Sequence, residues 1–230
     1  MELDIKNYAI LRLGGIEIWI TDTIVSTWII MGVLIVFAIF VRIKIHKFKE
    51  IPTGFQNVVE ALVEMFDNYL VSNVGPKLMY LGPWFFTVFA FVLLSNLSGI
   101  IPGLRPPTAD WARTLGIALV TFTLIQIMGF RYRKLAYLKS FVEPIFLFLP
   151  INLIGEIARP ISLSFRLFGN ILAGLVMMSL IYAMVPIVFK FVFPAALHAF
   201  FDIFAGALQA FIFTTLSMTF VANTAALSDE

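Results

Sequence analysis

The chain contains no cysteine, only two histidines and few charges, and each shortage removes a class of protein. Without cysteine there is no disulfide scaffold, and nothing marks the redox compartment. Lysine, arginine, aspartate and glutamate make up 13% of the 230 residues, roughly half the share usual in a soluble domain. So little charge cannot coat a water-soluble fold of this length. The net charge of +2 is too small to suggest a nucleic-acid partner. The opening "MELDIKNYAILRLGG" is acidic and mixed, without the basic-then-apolar order of a cleaved leader, so the membrane segments themselves are expected to direct insertion. There is no G-x-S-x-G and no phosphate loop, so neither a serine hydrolase nor a nucleotide site is expected, and no cofactor or catalytic residue is assigned. What remains is apolar: 60% hydrophobic residues, 25 phenylalanines and a mean hydropathy of +0.97. Lipid must cover much of it. With no low-complexity linker and no obvious repeat, residues 1–230 read as a single integral membrane domain.

The first spanning segment runs from Ile24 to Val41, 18 residues, about the minimum for the hydrocarbon core. Arg42, Lys44, His46, Lys47 and Lys49 follow at once. By the positive-inside rule that end is cytoplasmic and the N-terminus is outside. From Pro52 to about Gly75, Val59, Leu62, Val63, Phe66 and Leu70 recur at helical spacing, with Glu60, Glu64 and Asp67 elsewhere on the wheel. This is an amphipathic helix, lying along the inner surface or packed against its own protein. A hairpin comes next. Pro83 to Ile101 crosses outward, "PGLRPPTAD" turns it, and Leu115 to Phe130 returns to the basic run "RYRKLAYLK". Asn96 and Gln126, isolated polar residues in these spans, read as helix–helix glue.

Two long apolar segments complete the chain, from about Phe141 to Ile181 and from about Val188 to Ala226. Forty helical residues rise about 60 Å, twice the bilayer core. Such segments must be broken, strongly tilted or partly horizontal, and Pro144, Pro150 and Pro160 mark where the first could bend. With two more crossings the C-terminus is cytoplasmic. The expected fold is all-α: about five membrane-inserted helices plus one interfacial amphipathic helix, the last two long, tilted and packed as a hairpin.

Within the first long segment stands "SLSFRLFGNILAG", residues 162–174. A permanent charge near the bilayer centre costs from about 2.5 to well over 10 kcal/mol, so Arg166 needs an offsetting partner. Asn152, Glu156, Arg159, Arg166 and Asn170 are spaced four, three, seven and four apart, one helical face. On the second segment His198, Asp202 and Gln209 are spaced four and seven, again one face. The economical packing turns both stripes toward a shared interior and away from lipid. Glu156 could simply neutralise Arg159 at i,i+3, and His198 could be a satisfied structural histidine rather than a channel residue. Asp202 is read as having no basic residue within one turn. The nearest acid to Arg166 in sequence is Glu156, ten positions away, so its partner must come from another helix or another chain.

"PINLIGEIARPISLSFRLFGNILAG" together with "FDIFAGALQAFIF" resembles the a subunit of F-type ATP synthases, the stator side of a rotary ion motor. "IPTGFQNVVEALVEMFDNYL" and "NLSGIIPGLRPPTAD" extend the resemblance over most of the chain after about Thr21. The resemblance implies that Arg166 is the arginine facing the lipid-embedded carboxylate of each passing c subunit. It implies that Asn170 and Gln209 are the polar residues close to it, and that Glu156 is an acid of the cytoplasmic half-channel, with Asn152 on the same side. Asp202 then stands where some members have a histidine of the outer half-channel, with His198 nearby. The family's frequent acid just after the second glycine is missing; Leu175 stands there. Expected partners are the c-subunit ring, the b subunits of the peripheral stalk, the whole synthase complex and membrane lipid, in a bacterial-type cell membrane. The coupling ion is expected to be H⁺, with Na⁺ as the alternative. A secondary transporter would show repeated halves with broken helices, which this chain lacks.

Overall fold

The computed structural model describes residues 7–13, 16–101, 103–143, 145–184 and 197–225. It opens on a β-hairpin, an element outside the all-α expectation. Strand β1 (Asn7–Leu13) pairs antiparallel with β2 (Ile16–Thr21), with Leu13 opposite Ile16 and a register shift between Asn7 and Ala9. Only Gly14 and Gly15 separate the strands in sequence, a dipeptide favoured in two-residue hairpin loops. Beyond Thr21 every regular element among the described residues is helical, and five helices are long and apolar enough to cross a membrane. The expected all-α membrane architecture therefore holds for the spans.

Helix α1 (Asp22–Ile45) buries only Thr23, Ser26 and Ile30. The rest of its apolar surface is left for lipid. Its first turn is tied to the loop between the next two spans, where Asp22 meets Arg105 at 3.7 Å and the Thr23 hydroxyl donates to Asp110 at 3.2 Å. Helix α2 (Phe55–Val74) combines both alternatives considered for it. Phe66, Leu70 and Val74 are buried in the core, whereas Val58, Leu62 and Met65 stay exposed. Its C-terminal half packs on its own protein, and its N-terminal half presents an apolar face outward.

Helices α3 (Gly82–Leu97) and α4 (Trp111–Arg133) form the hairpin foreseen from the sequence. Two 3₁₀ turns, Ser98–Ile100 and Pro107–Ala109, build the connection, and Asp110 caps α4 by accepting the Ala112 N–H at 3.0 Å. After α4 the chain reverses at Lys134, whose φ is 49°. The short helix α5 (Leu135–Ser140) is thereby folded back, and Tyr137 is buried.

Helix α6 (Leu149–Met184) is a single element of 36 residues, about 54 Å at 1.5 Å per residue. It begins later than the apolar run did. Pro150 lies in its first turn, where a missing N–H costs nothing. Pro160 is buried inside the helix without ending it, although it leaves the Glu156 carbonyl without its usual donor. The expected segment from Phe141 is interrupted ahead of α6, where the described residues form turns and a 3₁₀ turn, Phe146–Phe148; α6 itself is unbroken and still longer than the bilayer core, so it must tilt or lie partly horizontal. Pro144 and residues 185–196 lie outside the described residues. The last span joins a π-helical turn, Ala199–Ala205, to helix α7 (Gly206–Thr224).

Helix α7 runs through the centre of the molecule. Ala210, Phe213, Met218 and Val221 are fully buried against α3, α4 and α6. Its buried hydroxyls turn back on their own helix, Thr214 donating to the Ala210 carbonyl at 2.9 Å and Ser217 to that of Phe213 at 2.7 Å. That satisfies polar groups where no water is at hand.

Candidate ion pathway around Arg166

The buried side of α6 is apolar, with Leu163, Leu167 and Ile171 in contact with the core. Its other side is small and open. Gly155, Ala158, Ser162, Gly169 and Ala173 are all exposed, and a Cβ added at Gly155 or Gly169 would meet nothing within 4 Å. Arg166 stands on this side. It is exposed and has no hydrogen-bond or ion-pair partner among the described residues. The partner inferred to lie on another helix or another chain is therefore not supplied by any described helix of this one.

One turn further on, Asn170 bridges α6 to α7 by donating its amide to Gln209 Oε1 at 3.1 Å. Gln209 is 3% exposed, and its own Nε2 is buried without an acceptor among the described residues. Among the described residues donors are thus left over on both helices, an exposed guanidinium and, a turn further on, a buried amide.

Toward the N-terminal end of α6 the polar groups are instead fully engaged. Glu156 Oε1 forms an ion pair with Arg159, whose guanidinium also lies 5.3 Å from the Phe220 ring centre. The other carboxylate oxygen accepts from Gln126 Nε2 at 3.3 Å, and Gln126 Oε1 accepts from the Tyr137 hydroxyl at 2.8 Å. Burial pushes the Tyr137 phenol above its ordinary pKa, and the Glu156 charge adds to the shift. Asn152 is committed elsewhere, donating to the carbonyls of Phe141 at 2.9 Å and Glu143 at 3.2 Å. It ties down the segment leading into the helix. Gln126, expected as glue between helices, and Tyr137, in the basic run after α4, are both brought to Glu156 by the fold. Nothing in their spacing signals this, because the meeting depends on the reversal at Lys134.

At the opposite end His198 Nδ1 meets Asp202 Oδ2 at 2.5 Å, and Tyr182 meets His198 Nε2 at 3.3 Å. The basic neighbour that Asp202 was read as lacking is His198, four residues earlier. Asp202 sits on the π-helical turn, a form that recurs at functional sites. His198 and Asp202, expected on one face, are in direct contact across this turn. Close by is the α3–α4 connection: a Cβ on Gly99 would lie 3.5 Å from Asp202 Oδ1. Asn96 is the glue expected of it, donating to the Gly206 carbonyl at 2.9 Å and accepting from Thr108 at 2.8 Å. Leu175, where the resemblance led an acid to be expected, is half-buried on α6.

These features define a multi-pass helical membrane protein with an arginine, unclaimed among the described residues, between two separate titratable clusters. Residues 24–222 match the model of the family described as ATP synthase A chain, and the chain belongs to that family. It is 36% identical over 220 residues to ATP synthase subunit a of Moorella thermoacetica, covering 95% of this chain and 96% of the relative. Identity is 34% over 204 residues to ATP synthase subunit a 2 of Syntrophotalea carbinolica, covering 87% and 84% of the two chains. A third relative, ATP synthase subunit a, sodium ion specific, of Propionigenium modestum, is 33% identical over 219 residues, 88% of this chain and 73% of its own. The family is the membrane, ion-translocating component of the synthase, not a catalytic subunit.

Proposed function

We propose that this chain is the stationary ion conductor of a rotary ATP synthase, passing H⁺ through two offset half-channels to and from carboxylates on a ring of c subunits. One observation carries the reading: Arg166 is exposed without a partner among the described residues, on a face of small residues that lets another helix approach closely. The absent partner is then a c-subunit carboxylate. Arginine stays protonated under all relevant conditions, and beside it a carboxylate prefers to be ionised, so an arriving loaded site releases its ion. The same charge repels a cation running straight from one half-channel to the other.

The polar groups support two offset routes. With the N-terminus outside and the C-terminus cytoplasmic, Glu156, Arg159, Gln126 and Tyr137 form the cytoplasmic end, and Tyr182, His198 and Asp202 the outer one. An ion entering from outside reaches the ring beside Asp202. It leaves, after the ring has turned, beside Glu156. Each charge crossing 100 mV is worth about 2.3 kcal/mol, so the barrier at Arg166 is what converts the gradient into rotation. The b subunits and the catalytic head belong to the same assembly.

A sodium reading is favoured by one observation, the Leu175 that removes an acid from the outer route; oxygen ligands and room suit a hydrated cation better than a chain of proton acceptors. The touching series Tyr182, His198 and Asp202 supports H⁺. The test uses the absence of native cysteine. Single cysteines at 202 and 156 should react with membrane-impermeant thiol reagents from the outer and cytoplasmic sides respectively. Reaction of both from one side only would overturn the offset routes, and strong stimulation of ATP hydrolysis by added Na⁺ would overturn H⁺.

A further inference from the structure

Three elements converge on Glu156, and only one of them is its own helix. Tyr137 of α5 is 3% exposed and is gripped edge-on by Phe130 at 5.3 Å and Phe141 at 5.0 Å between ring centres. It lies so close to α4 that a Cβ on Gly129 would stand 2.9 Å from its ring atoms. Lys134 takes a positive φ to bring it there, a conformation that costs a non-glycine residue about 1–3 kcal/mol. For packing alone a phenylalanine would serve, and the chain uses 25 of them. The phenol hydroxyl is used instead to reach Gln126.

The direction of this hydrogen-bond series follows from chemistry. An ionised carboxylate accepts and cannot donate, so the Gln126 amide nitrogen must face Glu156 and its oxygen must face Tyr137. The phenol must then donate, and its raised pKa keeps the proton in place. Arg159 holds the remaining carboxylate oxygen.

We propose that Gln126 and Tyr137 are positioning residues for Glu156, forming a strut from α5 through α4 to α6 that holds the carboxylate where ions leave toward the cytoplasm. The inference rests on the reading of Glu156 as a cytoplasmic half-channel acid. Losing the strut leaves the carboxylate held by Arg159 alone, free to swing out of line.

The test is ATP-driven ion uptake by the whole synthase in inverted membrane vesicles, normalised to the amount of assembled complex. Tyr137→Phe keeps the ring and should preserve the fold; Gln126→Leu removes the bridge. Each should slow uptake about three- to tenfold, the size expected for one lost hydrogen bond. In a Glu156→Gln background the same substitutions should add nothing, since no carboxylate remains to be positioned. If Tyr137→Phe slows uptake equally in both backgrounds, the ring merely secures α5 and the strut is refuted. If Glu156→Gln is slow but Tyr137→Phe runs at the normal rate, the strut fails while the half-channel reading survives. A normal rate for Glu156→Gln overturns both.

Discussion

Replacement of Arg166 by alanine separates folding from coupling with unusual clarity. The guanidinium has no partner among the described residues and lies on an exposed face, so its removal should change the stability of this chain by no more than about 0.5 kcal/mol. The effect on ion transfer is of another size. A guanidinium about 4 Å from a carboxylate, at an effective dielectric near 20, attracts it by about 4 kcal/mol. At about 1.4 kcal/mol per factor of ten, that is roughly a thousandfold in the ionisation of the facing carboxylate. Ion release from the ring should therefore fall below detection, and the barrier against direct leakage should vanish with it. The assay is ATP synthesis driven by an imposed gradient in vesicles, with complex content and ATP hydrolysis by the detached head measured alongside. The expected result is normal assembly, normal hydrolysis by the head and no synthesis. Synthesis above about a tenth of the normal rate would refute the electrostatic reasoning. Failure of the complex to assemble would refute the claim that Arg166 supports no structure.

Arg166→Lys should also impair synthesis severely, because an ammonium is a point charge that can lose its proton when desolvated; a normal rate would show that charge alone suffices. Asn96→Leu strands the Gly206 carbonyl and the Thr108 hydroxyl and should destabilise the chain by about 1–3 kcal/mol on the scale of interhelical bonds in membranes, read as a lowered thermal midpoint in detergent. Gly129→Leu should displace the Tyr137 ring that lies against it and slow ion uptake at least as much as Tyr137→Phe does. Lys134→Gly relieves a positive φ and should raise stability by about 1 kcal/mol; a loss would mean that the side chain is needed at the turn.

The spans, their number and the presence of α2 were legible because lipid imposes simple rules. Runs of about 20 apolar residues must be helical when every backbone group has to be satisfied internally, and a helical period of polar residues survives folding wherever the helix stays regular. Arg166 was legible for the same reason: a charge in such a run is conspicuous whatever surrounds it. The β-hairpin is not legible in this way because it precedes the first apolar run, where that rule has no force. The π-helical turn at Ala199–Ala205 was not legible, since a widened turn cannot be seen in a count of residues.

By itself the sequence determined a multi-pass helical membrane protein, the isolated arginine with Asn170 one turn on, and the family resemblance. Only the tertiary structure decided what each polar group touches. It joined Asn170 to Gln209, set His198 against Asp202, turned Asn152 to the carbonyls of Phe141 and Glu143, and left Arg166 without a partner among the described residues. It also carried Tyr137 back to Gln126 and Glu156 from the basic run after α4. Such meetings depend on helix tilt, on one residue with positive φ and on a glycine small enough to admit a ring. Those are properties of how apolar surfaces close over one another, and residue spacing along a single helix does not contain them.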